Sequence, residues 1–400
     1  MISVGIDVSK GHSTICVLKP YGEIVSVPFE VEHTEQDLQQ LVEQIQSFSD
    51  GELRVVLEAT GIYHLPVVAF LQQQGIFVSV INPLSMKKYA SIALRQGKTD
   101  KIDSVKIANY GIDNWYHLVD YQPETETYQE LRLLSRQYLH YTSLKIKAKV
   151  NLTNLLDKTM PGIKPLLRSQ SEHSNQEKLC AVVNRYWHFD NITRFTESRF
   201  VKDFAAWGEK QHFYANEKKA RDIYAVAQQG VTTLSSHLPS TKLLVQAAVR
   251  TLKELEATLS LILQEMQSLA ELLPEYQVAI EMPGIGPTLA VRLIAEVGDV
   301  RRFHSANALI AYAGLDSPPH QSGMLVKKRS ISKRGSPALR KTGFEIISSI
   351  RKTKPSVDNA VYLFMLKKQE EGKPVKVAKI AGLNKFLRIY YARAKEAYLN

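Results

Sequence analysis

The 400-residue chain has only two cysteines, Cys16 and Cys180. That count excludes both a disulfide framework and a structural zinc site built on several thiolates. The chain also lacks any unbroken apolar run of the ~18 residues that a membrane span needs. Its first residues lead straight into a periodic apolar segment, with no basic leader and no small-residue cleavage site. Together these absences predict a soluble protein of the cytoplasm with no membrane partner. Acidic residues are scarce at one end. Residues 301–400 hold 21 Lys+Arg against 6 Asp+Glu, whereas residues 1–110 hold 9 against 12 and residues 111–300 hold 21 against 22. The formal charge of +11 is therefore a property of the last quarter of the chain. Clustered cations of this kind neutralise phosphates and release condensed counterions, so they point to nucleic acid more than to a solvated face or an anionic lipid surface. With 44% apolar residues and 23% charged, the chain is long enough and apolar enough for two or three domains with cores.

The pattern divides into three regions: an α/β domain over residues 1–123, a helical coiled-coil region over 124–278 and a basic, mainly helical domain over 279–400. In the first, residues 2–8, 12–18 and 23–31 read as consecutive strands, separated by turns at Lys10-Gly11 and Pro20-Tyr21-Gly22. Thr34 caps a helical pattern through Leu38, Leu41, Val42 and Ile45; a buried strand at 53–57, a helix from about Tyr63 and a strand at 76–81 follow. Three hairpin-linked strands followed by alternating helices and strands give a mixed sheet of the ribonuclease H type rather than a purely parallel one.

Residues 124–273 read as helical throughout. Leu134, Tyr138, Tyr141, Lys145, Ala148, Leu152 and Leu155 form a heptad seam that ends before Pro161-Gly162, and an unbroken seam runs from Val245 through Leu252, Leu259 and Met266 to Leu273. Such seams predict a coiled coil, formed within or between chains. The polar stretch 169–176 reads as a loop between them, and 186–214 as short helices. In the last region, Met282-Pro283-Gly284-Ile285-Gly286-Pro287 ahead of an apolar helix is similar to the hairpin of helix-hairpin-helix modules. There the backbone N–H groups at Gly284 and Gly286 can hold a phosphate. Ser336 caps a helix opened by Pro337, with Lys333 and Arg334 just ahead of it.

Four carboxylates stand where chemistry is expected. Asp7 lies in the first strand among apolar neighbours, and Glu58 ends the central strand before Ala59-Thr60-Gly61 turns the chain into a helix. Asp100 and Asp103 are three apart behind a Thr99 cap, so they share a helix face. Each alone is a commonplace acid. In a ribonuclease H-like sheet, however, the first and central strands are neighbours and a later helix crosses their ends, so all four converge. An all-oxygen donor set without Cys or clustered His suits Mg²⁺ or Mn²⁺.

Gly5-Ile6-Asp7-Val8-Ser9-Lys10, Leu57-Glu58-Ala59-Thr60-Gly61 and Lys98-Thr99-Asp100-Lys101-Ile102-Asp103 resemble, in order and spacing, the acidic tetrad of the DEDD transposases of bacterial insertion sequences. These form the insertion-sequence 110/1111 family, to which the Piv-type DNA invertases are related. The C-terminal motifs Met282-Pro283-Gly284-Ile285-Gly286, Glu296-Val297-Gly298-Asp299, Tyr312-Ala313-Gly314-Leu315, Ser322-Gly323 and Ile331-Ser332-Lys333-Arg334-Gly335 resemble it too. The resemblance implies a RuvC-like domain whose Asp7, Glu58, Asp100 and Asp103 bind the metal, and a transposase domain in which Ser322 attacks DNA. It further implies donor and target double-stranded DNA, a structured bridge RNA from the element, and a homo-oligomer, dimer or tetramer, with sites shared between protomers in the bacterial nucleoid. Lys98, Lys327, Lys328, Arg329, Lys333, Arg334 and Arg340 are then candidates for the DNA backbone, and Arg132, Arg136, Lys145, Lys147 and Lys149 for the RNA.

Three rival readings make different demands. A RuvC-type junction resolvase uses the acids alone, without a serine intermediate. A sugar-kinase-like ATPase needs a second glycine-rich phosphate loop, which the sequence does not contain. A non-catalytic nucleic-acid binder keeps all its activity when Asp7 is replaced.

Overall fold

The computed structural model describes residues 1–400 apart from 49–50, 92–98, 168–171, 214–215, 318–320, 323–324, 327–329, 354–358 and 400, with backbone only at 172–176, 321–322 and 325–326. The described chain falls into two compact units, Met1–Pro123 and Glu124–Asn400.

The first unit is a five-stranded mixed sheet. Strands β1 (Ile2–Val8), β2 (His12–Leu18), β3 (Ile24–Glu32), β4 (Leu53–Glu58) and β5 (Val78–Ile81) lie in the order β3-β2-β1-β4-β5. β1 is antiparallel to β2 and β2 to β3, while β1, β4 and β5 are parallel. This strand order, with these directions, is the ribonuclease H-like arrangement expected from the sequence. Helices α1 (Glu35–Ser47) and α2 (His64–Gln73) cover one face. There Val4, Ile6 and Val8 of β1 and Val55 and Leu57 of β4 share a core with Leu38, Leu41, Val42 and Ile45 of α1 and Val67, Val68 and Leu71 of α2. Helices α3 (Pro83–Ala90) and α4 (Asp100–Asp113) belong to the other face, where Val56 and Ile81 cluster with Met86 and Ile107, and Cys16 and Leu18 with Ala108. Both faces are apolar because strands buried on both sides have no solvent face to alternate with. The caps are those the sequence indicates: the Thr34 hydroxyl accepts from Asp37 N–H at 3.1 Å and the Thr99 hydroxyl from Ile102 N–H at 3.2 Å.

In the second unit, α5 (Glu126–Thr159) packs against the helix Pro239–Ala270. The buried seam residues Val245, Ala248 and Leu252 share a core with Leu152 and Leu156, while Met266 and Ala270 share one with Tyr128 and Leu131. Lys145 bridges to Glu256 midway, 2.9 Å apart. The two seams thus close on each other, antiparallel, within one chain. α5 stops at Thr159, and Gly162 turns the chain away in the left-handed region, φ +81°. One expectation fails here. Helix Glu172–Tyr186 begins inside the polar stretch read as a loop. Its polar residues are compatible with helix, so low hydrophobicity there marked the absence of an apolar stripe and not a coil. Helices Asp190–Thr193 and Glu197–Lys210 follow.

Toward the C-terminus, helices Pro274–Glu281 and Pro287–Val297 flank the turn at residues 282–286. Helices Pro337–Thr353 and Val375–Glu396 pack with them in a single core containing Leu293, Ile346, Leu383 and Phe386. Among the described residues no helix is long and apolar enough to cross a membrane.

Candidate active site

The acidic end of the sheet follows from strand register. β1 and β4 are parallel, with Ile6 opposite Leu57, so the next residue of each strand, Asp7 and Glu58, comes side by side at the carboxyl ends. Side chains alternate along a strand. Gly5 faces α4, because a Cβ built there would overlap the backbone N of Ala108 and the carbonyl O of Ser104. Asp7, two residues on, shares that face. Val56 also faces α4, since a Cβ on Gly111 would meet its Cγ2 at 2.9 Å, and Glu58 follows two residues later. Both acids are half-buried on one face of the sheet.

The direction of α4 brings the second pair toward the first. Gly111 lies over Ser3 and Val56, whereas Ser104 and Ala108 lie over Gly5. α4 therefore runs against β1, and its first turn, which carries Asp100 and Asp103, points toward the carboxyl end where Asp7 and Glu58 stand. Gly5 and Gly111 are the residues that let the helix backbone sit this close to the strand. Asp100 is exposed and Asp103 half-buried, where Lys106 Nζ donates to its Oδ1 at 2.9 Å. On β2, Thr14 is opposite Asp7 and buried. Lys106 and Thr14 were not among the sequence candidates. The i,i+3 spacing on α4 and the β1–β2 hairpin register are the signals that point to them.

The donors fit a hard divalent cation in chemistry, being carboxylate oxygens with no thiolate or imidazole among them. Among the described residues, no three His, Cys, Asp or Glu are grouped closely enough to hold an ion. The strand pair and the helix pair thus share an end of the sheet without forming an assembled cage.

In the second unit, several expected nucleic-acid ligands have internal partners. Arg132 bridges to Glu124 at 2.7 Å, Arg136 to the fully buried Glu296 at 2.8 Å and Lys145 to Glu256. Lys147 is exposed and Lys149 half-buried. Arg340 Nη1 donates to the carbonyls of Ala313 and Gly335 at 2.9 and 3.1 Å, tying a loop to a helix. Gly284 adopts φ +85°, and a Cβ there would meet Ile350 Cγ1 at 2.5 Å, so helix Pro337–Thr353 fills the space beside it. Gly286 is exposed at the N-terminus of helix Pro287–Val297, with open space where a Cβ would be. Lys333 and Arg334 are exposed ahead of Pro337, where the Ser336 hydroxyl caps the helix by accepting from Leu339 N–H at 3.1 Å. Lys333 has φ +55°, in a segment sewn to its neighbour by Ser332 N–H to Asp316 O and Lys333 N–H to Gly314 O.

Ser322 ends a two-residue strand, Gln321–Ser322, antiparallel to Leu325–Val326, with Ser322 opposite Leu325. Its backbone is described and its side chain is not. Lys98, Lys327, Lys328 and Arg329 lie outside the described residues.

A ribonuclease H-like sheet with paired acids at the carboxyl ends of adjacent strands, in a chain whose C-terminal quarter is strongly basic, defines a nucleic-acid-processing enzyme. Residues 4–161 match the model of DEDD-type IS110 transposases, and residues 276–362 match the transposase model of the IS116/IS110/IS902 family. The chain belongs to this family of transposases. It is similar to the pilin gene-inverting protein of Moraxella bovis, 24% identical over 97% of this chain and 94% of that one. It is also similar to the 44.8 kDa protein of insertion element IS116 from Streptomyces clavuligerus, 26% identical over 80% and 77%. The transposase of IS1111A from Coxiella burnetii is 35% identical over 19% of this chain and 21% of that one. Among solved structures, RuvC of T. thermophilus in complex with a Holliday junction covers 29% of this chain and 96% of its own, with 12% identity and a TM-score of 0.23. The strand order and directions, and not that likeness, define the fold.

Proposed function

We propose that this transposase cleaves and rejoins DNA strands with Ser322 as the nucleophile and with Asp7, Glu58, Asp100 and Asp103 as the ligands of Mg²⁺ or Mn²⁺. The observation that carries the reading is the parallel β1–β4 register, which sets Asp7 beside Glu58 on the face that α4 approaches with its acidic first turn. When bound, such an ion offsets the charge that builds on phosphate oxygens during displacement.

The chain's own residues supply the rest. The Ser322 oxygen attacks a backbone phosphorus; a bond from serine oxygen to phosphorus forms, and the bond from phosphorus to one sugar oxygen breaks. The serine proton is lost and the departing sugar oxygen gains one. The phosphoserine ester conserves the energy of the broken bond, so a sugar hydroxyl from a second strand reverses the step and rejoins DNA. Lys333 and Arg334, exposed at the start of helix Pro337–Thr353, bind the phosphate backbone, as do Lys98, Lys327, Lys328 and Arg329. Gly286 offers exposed backbone at a helix N-terminus for another phosphate, beside Gly284.

A structured RNA of the element serves as guide. Arg132, Arg136 and Lys145 are already paired with glutamates, whereas Lys147 is exposed. We assign the acid chemistry to residues 1–123, the intervening scaffold to 124–278 and DNA attack to 279–400. The working form is a dimer or tetramer with sites shared between protomers, acting in the cytoplasm on the nucleoid.

The test is denaturing electrophoresis of the full chain with its guide RNA, Mg²⁺ and a labelled DNA substrate carrying a nick that traps the cleaved state. The proposal expects a protein–DNA adduct that survives denaturation, is absent in Ser322→Ala and is lost with EDTA. Metal-dependent nicking without an adduct, undiminished in Ser322→Ala, contradicts the serine step and makes the chain a metal-only nuclease of the resolvase type.

A further inference from the structure

Lys106 is placed to act on the acids themselves. It lies one helical turn beyond Asp103 on α4, with Nζ 2.9 Å from Oδ1, and the two side chains are only 24% and 28% exposed. Its neighbours Ser104, Ile107 and Ala108 are buried against the sheet, so the pair sits on the flank of a packed helix and not on an open surface. An ammonium is a compact point charge that takes the oxygen lone pairs a divalent cation would use. Asp103 thus already has a cation against one of its oxygens.

We propose that Lys106 is a positioning residue whose ammonium holds Asp103 as a resident cation, so that a divalent ion binds the acids only by displacing it. This rests on the reading of the four acids as metal ligands. Lys106 makes metal binding an exchange of cations at Asp103, and it weakens affinity for the ion while keeping the empty site folded.

Isothermal titration of the full chain with Mn²⁺ and Mg²⁺ tests it, comparing the parent with Lys106→Met, Lys106→Arg and the pair Asp103→Asn and Asp103→Asn/Lys106→Met. Methionine keeps an apolar stem for packing without the charge. The expected result is roughly two- to fivefold tighter Mn²⁺ binding by Lys106→Met, the scale of a partly exposed ion pair. Lys106→Arg, which keeps the charge and controls for folding, binds like the parent, and Lys106→Met has no effect once Asp103 is asparagine. Equal or weaker binding by Lys106→Met, with Asp7→Asn and Glu58→Gln losing binding, overturns the role of Lys106 alone. Parent-like binding by Asp7→Asn and Glu58→Gln overturns the metal reading and this inference together.

Discussion

At the scale of single residues, the site depends on what is small as much as on what is charged. Gly5 is buried on β1 where a side chain would collide with the backbone of α4, which cannot move aside as a flexible side chain can. Gly5→Ala is therefore expected to destabilise the fold by roughly 1–3 kcal/mol, read as a lower denaturant midpoint. It should also impair activity without touching any acid, because it displaces the helix that carries Asp100 and Asp103. An unchanged midpoint would mean that α4 does not lie on β1 as described. Asp7 and Glu58 were legible in the sequence because each stands beside an apolar strand run and Glu58 precedes a turn. Lys106 was not, because its meaning comes from the carboxylate it meets and from the burial of its flank, neither of which composition reports.

At the scale of elements, long-range pairs decide what the cations of α5 are for. Arg136 neutralises Glu296, which is fully buried and otherwise has the Ser135 hydroxyl at 3.2 Å and the Ser336 hydroxyl at 3.5 Å. Removing the arginine strands a buried carboxylate, so Arg136→Ala is expected to cost roughly 2–3 kcal/mol in chemical denaturation. Arg136→Ala/Glu296→Gln should recover much of that loss. If Arg136→Ala leaves stability unchanged but weakens RNA binding, the residue is a nucleic-acid ligand and the ion pair is incidental. The heptad spacing did reveal both long helices, and Pro161-Gly162 the end of the first, since these are local signals; the second seam was read on to Leu273, whereas its helix ends at Ala270. It left open whether the seams meet within a chain, which the Lys145–Glu256 bridge and the shared cores answer. The helix start at Glu172 was missed because a polar helix and a polar loop have the same composition.

At the scale of the whole molecule, charge is the dominant asymmetry: the basic excess lies in residues 301–400, and the proposal makes it the electrostatic term for DNA. Binding to duplex DNA is expected to weaken steeply with salt, and Lys333→Ala/Arg334→Ala to flatten the slope of log K against log salt by about one per cation lost. An unchanged slope would place the phosphate contacts elsewhere. The fold class was readable from the order of strands and helices, because hairpin-linked strands followed by βα alternation admit few topologies. Of the proposed site, the sequence indicated the positions of the acids where motifs sit at strand ends. The measurement that tests the central claim most directly is recombination in cells between donor and target plasmids, with the element's flanking noncoding RNA supplied, for the parent, Asp7→Ala and Ser322→Ala. The account predicts that both variants accumulate, still bind DNA and lose joining by at least about a hundredfold, as expected when a group essential to the chemical step is removed. Full joining by Ser322→Ala would contradict the serine nucleophile, and full joining by Asp7→Ala would contradict the acidic end of the sheet as the active site.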